Sequence, residues 1–176
     1  MGCNRFGLLA VVIPTLLFTA LGCNAEDGNA YPNNTAQEKT ERKNTMKLGY
    51  TLFFVSDVEK TLDFFETAFG LERKFINADG DKVYGELNTG ATTLGFVSYA
   101  QAKSAGVSFL EPRPDGPTQA VEIGLVTDNV AAAYEKAVQH GATPVSPPAE
   151  KPWGQTVSYV RDINGLLVEI CSEVSQ

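Results

Sequence analysis

The chain has 176 residues, 43% of them hydrophobic, and a formal net charge of −7. That length suffices for one compact domain with its own core. The acidic balance excludes a nucleic-acid binder, because phosphate backbones are held by clustered Lys and Arg that this chain lacks.

In chain order, residues 1–22 read as a targeting segment. Arg5 gives a minimal basic flank, and the apolar run from Phe6 to Leu21 is broken by Pro14, a pattern closer to a secretory signal than to a membrane span. The closing Ala20-Leu21-Gly22-Cys23 resembles a bacterial lipobox, which implies export and lipid attachment at Cys23 in the cell envelope; a plain signal peptide cut nearby is the alternative. N-myristoylation is rejected, because Phe6 stands where that pattern needs a hydroxyl residue. With Cys3 removed and Cys23 lipidated, Cys171 is the only thiol left, so no intrachain disulfide holds the domain. Residues 23–46 are polar and lack apolar periodicity, which reads as a flexible tether. Asn33-Asn34-Thr35 fits a glycosylation sequon, which is discounted in a bacterial setting.

The folded domain is expected over 47–174. Lys47 to Val55 alternates as a strand, with Thr51, Phe53 and Val55 on one face and Tyr50, Leu52 and Phe54 on the other. Ser56-Asp57-Val58-Glu59 reads as a capping box with Ser56 at the N-cap. The helix after it carries Val58, Leu62, Phe65 and Phe69 on one stripe and stops at Gly70. Strands follow at Leu71 to Ile76, Lys82 to Leu87 and Thr92 to Tyr99, the last two joined by an Asn88-Thr89-Gly90 hairpin. Gln101 to Thr118, with Pro112, Pro114 and Pro117, is too proline-rich for a regular element.

The order then restarts. Ala120 to Thr127 is a strand, Asp128 caps a helix carrying Val130, Tyr134, Ala137 and Val138 that ends at Gly141, and a short strand spans Thr143 to Val145. Loops around Ser146-Pro147-Pro148 and Pro152-Trp153-Gly154 lead to a terminal hairpin whose turn is Asp162-Ile163-Asn164-Gly165. In its second strand Leu166, Val168 and Ile170 oppose Leu167, Glu169 and Cys171, so Glu169 is a lone carboxylate on an otherwise apolar face. A shift of 72 residues carries Ser56 onto Asp128, Val58 onto Val130, Leu62 onto Tyr134 and Tyr50 onto Glu122. Two copies of one unit, each with a helix on one sheet face, leave the opposite faces free to enclose a cleft.

The tandem modules, the run Val55-Ser-Asp-Val-Glu-Lys-Thr-Leu-Asp-Phe-Phe65 and the closing Val160-Arg-Asp-Ile-Asn-Gly-Leu-Leu-Val-Glu-Ile170 resemble the vicinal oxygen chelate superfamily. That group includes glyoxalase I, extradiol dioxygenases and bleomycin-resistance proteins. The resemblance covers Met46 to about Val174 and implies an α+β fold, two tandem βαβββ modules forming a curved mixed sheet around a shared cleft. In metal-dependent members four ligands come from the first and fourth strands, the first strand of the second module and the last strand. Those places here hold Tyr50, Gly95, Glu122 and Glu169. Gly95 offers no side chain and neutral Tyr50 is a poor ligand, so two carboxylates remain, suited to a labile Mg²⁺ or Mn²⁺ rather than a closed Zn²⁺ site. An extradiol dioxygenase is excluded, since it needs two His and a carboxylate on one face, and the single His140 sits at a helix end.

The expected cleft residues are Tyr50, Phe54, Glu86, Tyr99, Glu122, Trp153 and Glu169, with Tyr84 and Leu167 beside them. Glu86 joins only if the hairpin register gives it the face of Gly95. Each also has a plainer reading: the aromatics as core, Trp153 as packed on its own prolines, the carboxylates as facing a wet surface. The leading expectation is binding or sequestration of a small organic ligand with no tightly bound cofactor. The runner-up is a glyoxalase-type lyase or isomerase in which Glu122 and Glu169 hold a labile divalent metal or act as acid and base. A third is an envelope interaction module. The expected partners are a small molecule and, through Cys23, a membrane, with no nucleic acid; a homodimer is the alternative to a cleft closed within one chain.

Overall fold

The computed structural model describes residues 46–174, so Cys23, the targeting segment 1–22 and nearly all of the tether lie outside the described residues. No helix among the described residues is long and apolar enough to cross a membrane.

The first module runs β1 (Tyr50–Val55), α1 (Val58–Phe69), β2 (Arg73–Asp79), β3 (Lys82–Leu87) and β4 (Thr93–Ser98); a short helix α2 (Tyr99–Ser104) begins the connection. The second runs β5 (Glu122–Val126), α3 (Val130–Gln139), β6 (Thr143–Glu150), β7 (Thr156–Arg161) and β8 (Leu167–Cys171). Each module closes into its own four-stranded mixed sheet, ordered β1-β4-β3-β2 and β5-β8-β7-β6. In both, the first strand pairs in parallel with the last and the remaining pairs are antiparallel. This is the expected α+β architecture of two βαβββ units. The first strand of each module is a sheet edge, and no ladder joins β1 to β5.

Each helix covers one face of its sheet. On α1 the buried residues Val58, Thr61, Leu62, Phe65 and Ala68 recur at helical spacing, and α1 packs on α3. One apolar cluster results, running from Val55, Leu62, Phe65 and Phe96 to Val130, Val160, Val168 and Ile170. Full burial of a side chain such as Leu62 or Phe65 stabilises by about 1.5–3 kcal/mol. A polar strut crosses the same contact. Asn164 Nδ2 donates to Thr61 Oγ1 at 3.1 Å, and Thr61 Oγ1 donates to Asp57 O at 2.6 Å. The turn holding Asn164 is built on Asp162, whose Oδ1 accepts from the N–H groups of Asn164 and Leu166, both at 2.8 Å. Gly165 has φ +88°, and a Cβ there would come within 2.8 Å of Arg113 O, so the turn also seats the inter-module connection. Arg161 Nη1 clasps the same stretch by donating to Pro114 O and Gly116 O.

Five sequence expectations are corrected. The N-cap of α1 is Asp57, whose Oδ1 accepts from Lys60 N at 3.0 Å, and not Ser56; that of α3 is Asn129, accepting from Ala132 N, and not Asp128. Both corrections move by one residue, so the 72-residue repeat survives them. Tyr99 opens α2 and does not close β4, because Ser98 turns the chain by accepting from Gln101 N. The helix α3 ends one residue early, with His140 at the C-cap. Finally, β6 continues through Pro147 and Pro148 to Glu150, since it is an edge strand with irregular register, where missing N–H groups need no partner.

Candidate functional site

The sheet face opposite α1 is set by the register. Tyr50, Leu52 and Phe54 of β1 share it with Gly95 and Val97 of β4, and Glu86 pairs directly with Gly95 while Tyr84 pairs with Val97. Glu86 therefore takes the face of Gly95, as expected. Its surroundings account for its burial, at 5% relative exposure. Tyr84 donates its hydroxyl to Oε1 at 2.6 Å and Lys74 Nζ donates to Oε2 at 2.8 Å. Lys74 first, then the Tyr84 hydrogen bond, hold the carboxyl below its ordinary range. In turn the Glu86 hydrogen bond raises Lys74, and burial followed by the Glu86 contact raises Tyr84. The space over Gly95 is already occupied: a Cβ there would meet Leu52 Cδ2 at 2.8 Å and the Tyr84 hydroxyl at 3.4 Å.

The equivalent face of the second module carries Glu122, Gly124 and Val126 on β5, Leu167, Glu169 and Cys171 on β8, and Tyr159 and Arg161 on β7. Tyr159 is opposite Glu169 and donates its hydroxyl to Oε2 at 2.5 Å. That hydrogen bond first, then burial, pushes the phenol up to about 12, so Tyr159 is a donor throughout the working pH range. Glu122 is the diagonal neighbour of Glu169, and its charge reaches both Tyr159 and Cys171. Burial, with Glu169 next, pushes the Cys171 thiol up to about 11, which keeps it protonated and unreactive.

The seven expected residues thus fall into separate groups. Tyr50 and Glu86 lie on the first sheet, and Glu122 and Glu169 lie side by side on the second. Phe54 packs on Phe109 with ring centroids 5.0 Å apart, and Tyr99 packs on the same ring at 5.1 Å, both pairs tilted. Trp153 stands apart, 58% exposed, with its indole N–H on Gln155 Oε1. His140 Nδ1 is 2.8 Å from Lys136 O at the end of α3, away from either open sheet face. Phe109 had no signal beyond being the one aromatic in the connection. The Tyr84–Glu86 and Tyr159–Glu169 pairs follow from strand parity once each hairpin register is known.

The four ligand places do not converge on a four-ligand site. Gly95 has no donor and its space is filled, Tyr50 brings only a phenol, a poor divalent-metal ligand, and one oxygen of Glu169 is taken by Tyr159. Among the described residues no three His, Cys, Asp or Glu side chains form a metal-holding group. The donors present do not fit the set that metal-dependent members use.

Two cavities lie along the seam between the modules. One, of about 320 Å³, is lined by Leu52, Phe53, Phe54, Phe109, Leu110 and Val121 among others; the second, of about 290 Å³, by Thr89, Thr92, Thr93, Leu94, Glu122 and Ile123 among others. Both are lined by Thr51 of the β1 edge strand, the first also by Val121 just before β5 and the second by Glu122 to Leu125 of β5. Of the expected residues, Phe54 and Glu122 line them.

Residues 47–170 match the family model described as Glyoxalase/Bleomycin resistance protein/Dioxygenase superfamily. Solved structures share the fold at low identity. A glyoxalase-related enzyme from Fulvimarina pelagi is 18% identical, with a TM-score of 0.61 over 72% of this chain and 88% of that one. A glyoxalase/bleomycin resistance protein/dioxygenase family enzyme from Burkholderia phytofirmans PsJN is 16% identical, with a TM-score of 0.59 over 74% of this chain and 100% of that one. A glyoxalase/bleomycin resistance protein/dioxygenase from Nocardioides is 20% identical, with a TM-score of 0.57 over 74% and 85%. A comparison with curated proteins found no match.

Proposed function

The chain belongs to the Glyoxalase/Bleomycin resistance protein/Dioxygenase superfamily, and from that premise we propose that it binds a small organic molecule in the seam between its modules, without a tightly held metal. The observation that carries this reading is the pair of cavities that share Thr51, one walled by Phe53, Phe54 and Phe109 and the other by threonines and Glu122. Their volumes are at the small end for organic-ligand sites. Gly95 supports the same reading, because it brings no side-chain donor to one of the four ligand places and Leu52 and Tyr84 occupy the space above it. The N-terminal pattern ending at Cys23 supports placement on the envelope, and mass spectrometry of the membrane fraction tests it: a mature N-terminus away from Cys23 without lipid defeats that placement.

A glyoxalase-type lyase or isomerase is the second reading. It is favoured by the neighbouring carboxylates Glu122 and Glu169, one hydrogen-bonded by Tyr159 and the other without an ion pair among the described residues. These could serve directly as base and acid. Thermal denaturation separates the two. Neutral aromatic compounds should raise the midpoint of the wild type and of Glu169→Gln alike, and Leu52→Trp, which fills the apolar cavity, should abolish the effect. Stabilisation by Mn²⁺ or Mg²⁺ alone, lost in Glu169→Gln, would replace the binding reading with the second one.

A further inference from the structure

The seam cavities differ in chemistry along their length, and that difference names a ligand class for the binding reading on which it rests. The wall at Phe54, Phe109, Leu110, Pro112, Val121 and Leu166 is apolar, and the Phe54 and Phe109 rings pack there with centroids 5.0 Å apart and planes tilted by 53°. Beyond Thr51 the character changes: Thr89, Thr92 and Thr93 bring hydroxyl side chains to the lining, and Glu122 is its one charged residue. Two of these hydroxyls are already used. Thr89 Oγ1 donates to Thr92 O at 2.8 Å and accepts from Leu94 N at 3.0 Å, while Thr92 Oγ1 donates to Leu48 O. Thr93, on the face of Tyr50, makes no side-chain hydrogen bond, and Glu122 no ion pair, among the described residues. Acceptors without a matching cation lie at one end and apolar ring surface at the other.

We infer that the seam takes an amphipathic amine: an apolar ring body against Phe54 and Phe109, with its ammonium group on Glu122 and the Thr93 hydroxyl. An ammonium brings donors to match a carboxylate and hydroxyl lone pairs, whereas a carboxylate ligand would meet Glu122 with like charge in a chain of net charge −7. Since Glu122 is solvent-exposed, its ion pair adds selectivity more than affinity, on the order of three- to tenfold.

Titration of ¹⁵N-labelled protein with three indole probes, read by amide chemical shifts, tests this. Tryptamine should perturb Thr51, Phe109 and Glu122 and bind more tightly than neutral indole, with indole-3-propionate weakest. Glu122→Gln should lower tryptamine affinity by roughly three- to tenfold and leave indole unchanged, while Phe54→Ala should weaken both. If tryptamine gains nothing over indole, or indole-3-propionate binds equally well, the amine inference fails while the seam site stands. If none of the three perturbs the seam residues, both fail.

Discussion

The two modules share one topology and use their open faces differently. In the first, Glu86 is neutralised from within: Lys74 and Tyr84 bind both of its oxygens, and Leu52 and Tyr84 fill the space above Gly95. In the second, Tyr159 supplies the matching hydroxyl to Glu169, but among the described residues no cation joins the pair, and Glu122 stands beside it. The same βαβββ frame therefore closes one face as packing and leaves the other acidic. Their helices differ in the same way, since α1 buries Leu62, Phe64 and Phe65 where α3 buries only Val130 and Ala137.

The largest expected effect sharpens that asymmetry in the core. Phe65→Ala should destabilise by about 3–5 kcal/mol in chemical denaturation, while Val130→Ala, losing two methyl groups, should cost about 1–2 kcal/mol. Equal losses would mean the modules share the core evenly. Next is the polar strut that ties the second module to α1. Asp162→Ala leaves two buried N–H groups without their acceptor and should cost about 1–3 kcal/mol. An unchanged denaturation midpoint would show that the turn holds without it.

The face comparison itself is broken or kept by acid. The folded carboxyl of Glu86 is held below its ordinary 4.5 by Lys74 and Tyr84. Its contribution is therefore present above that value and disappears as pH falls through the lowered folded value. Asp162 has the opposite sign. Burial raises it above 3.8, so its contribution favours folding at low pH and is lost as pH rises through the raised folded value. Wild type and Glu86→Gln, compared between pH 7 and pH 3, should converge as Glu86 is neutralised; parallel curves would show that Glu86 is not held by its ion pair. The smallest effect belongs to the second face. Tyr159→Phe should shift stability by no more than about 1 kcal/mol, the net worth of one hydrogen bond, and a larger loss would mean that this face too is packing.

Much of the frame was legible because local chemistry and global order agree. The alternation of Leu166 to Cys171, the turn Asp162–Gly165, the stop at Gly70 and the spacing of Val58, Leu62 and Phe65 each follow from strand or helix geometry, and the structure keeps them. The caps slipped by one residue because Ser56-Asp57 and Asp128-Asn129 each offer two competent capping side chains in succession. The prolines of β6 hid a strand whose edge position makes them harmless. The site was less legible for a different reason. A register shift between Arg73 and Phe75 interrupts the parity that would have placed Lys74 beside Glu86, and the cluster of Phe54, Phe109 and Tyr99 joins residues from a strand, a loop and a helix. Face membership in a regular strand can be counted from sequence; contacts made by a bulge or a long connection cannot.

The most direct measurement is hydrogen–deuterium exchange with and without the strongest stabilising compound from a thermal-shift screen. Binding in the seam should slow exchange across Tyr50–Val55, Phe109–Pro112 and Val121–Val126 and leave Thr156–Arg161 and Leu167–Cys171 unaltered. Protection confined to those last two strands would move the site onto the Glu169 face and end the case for the seam.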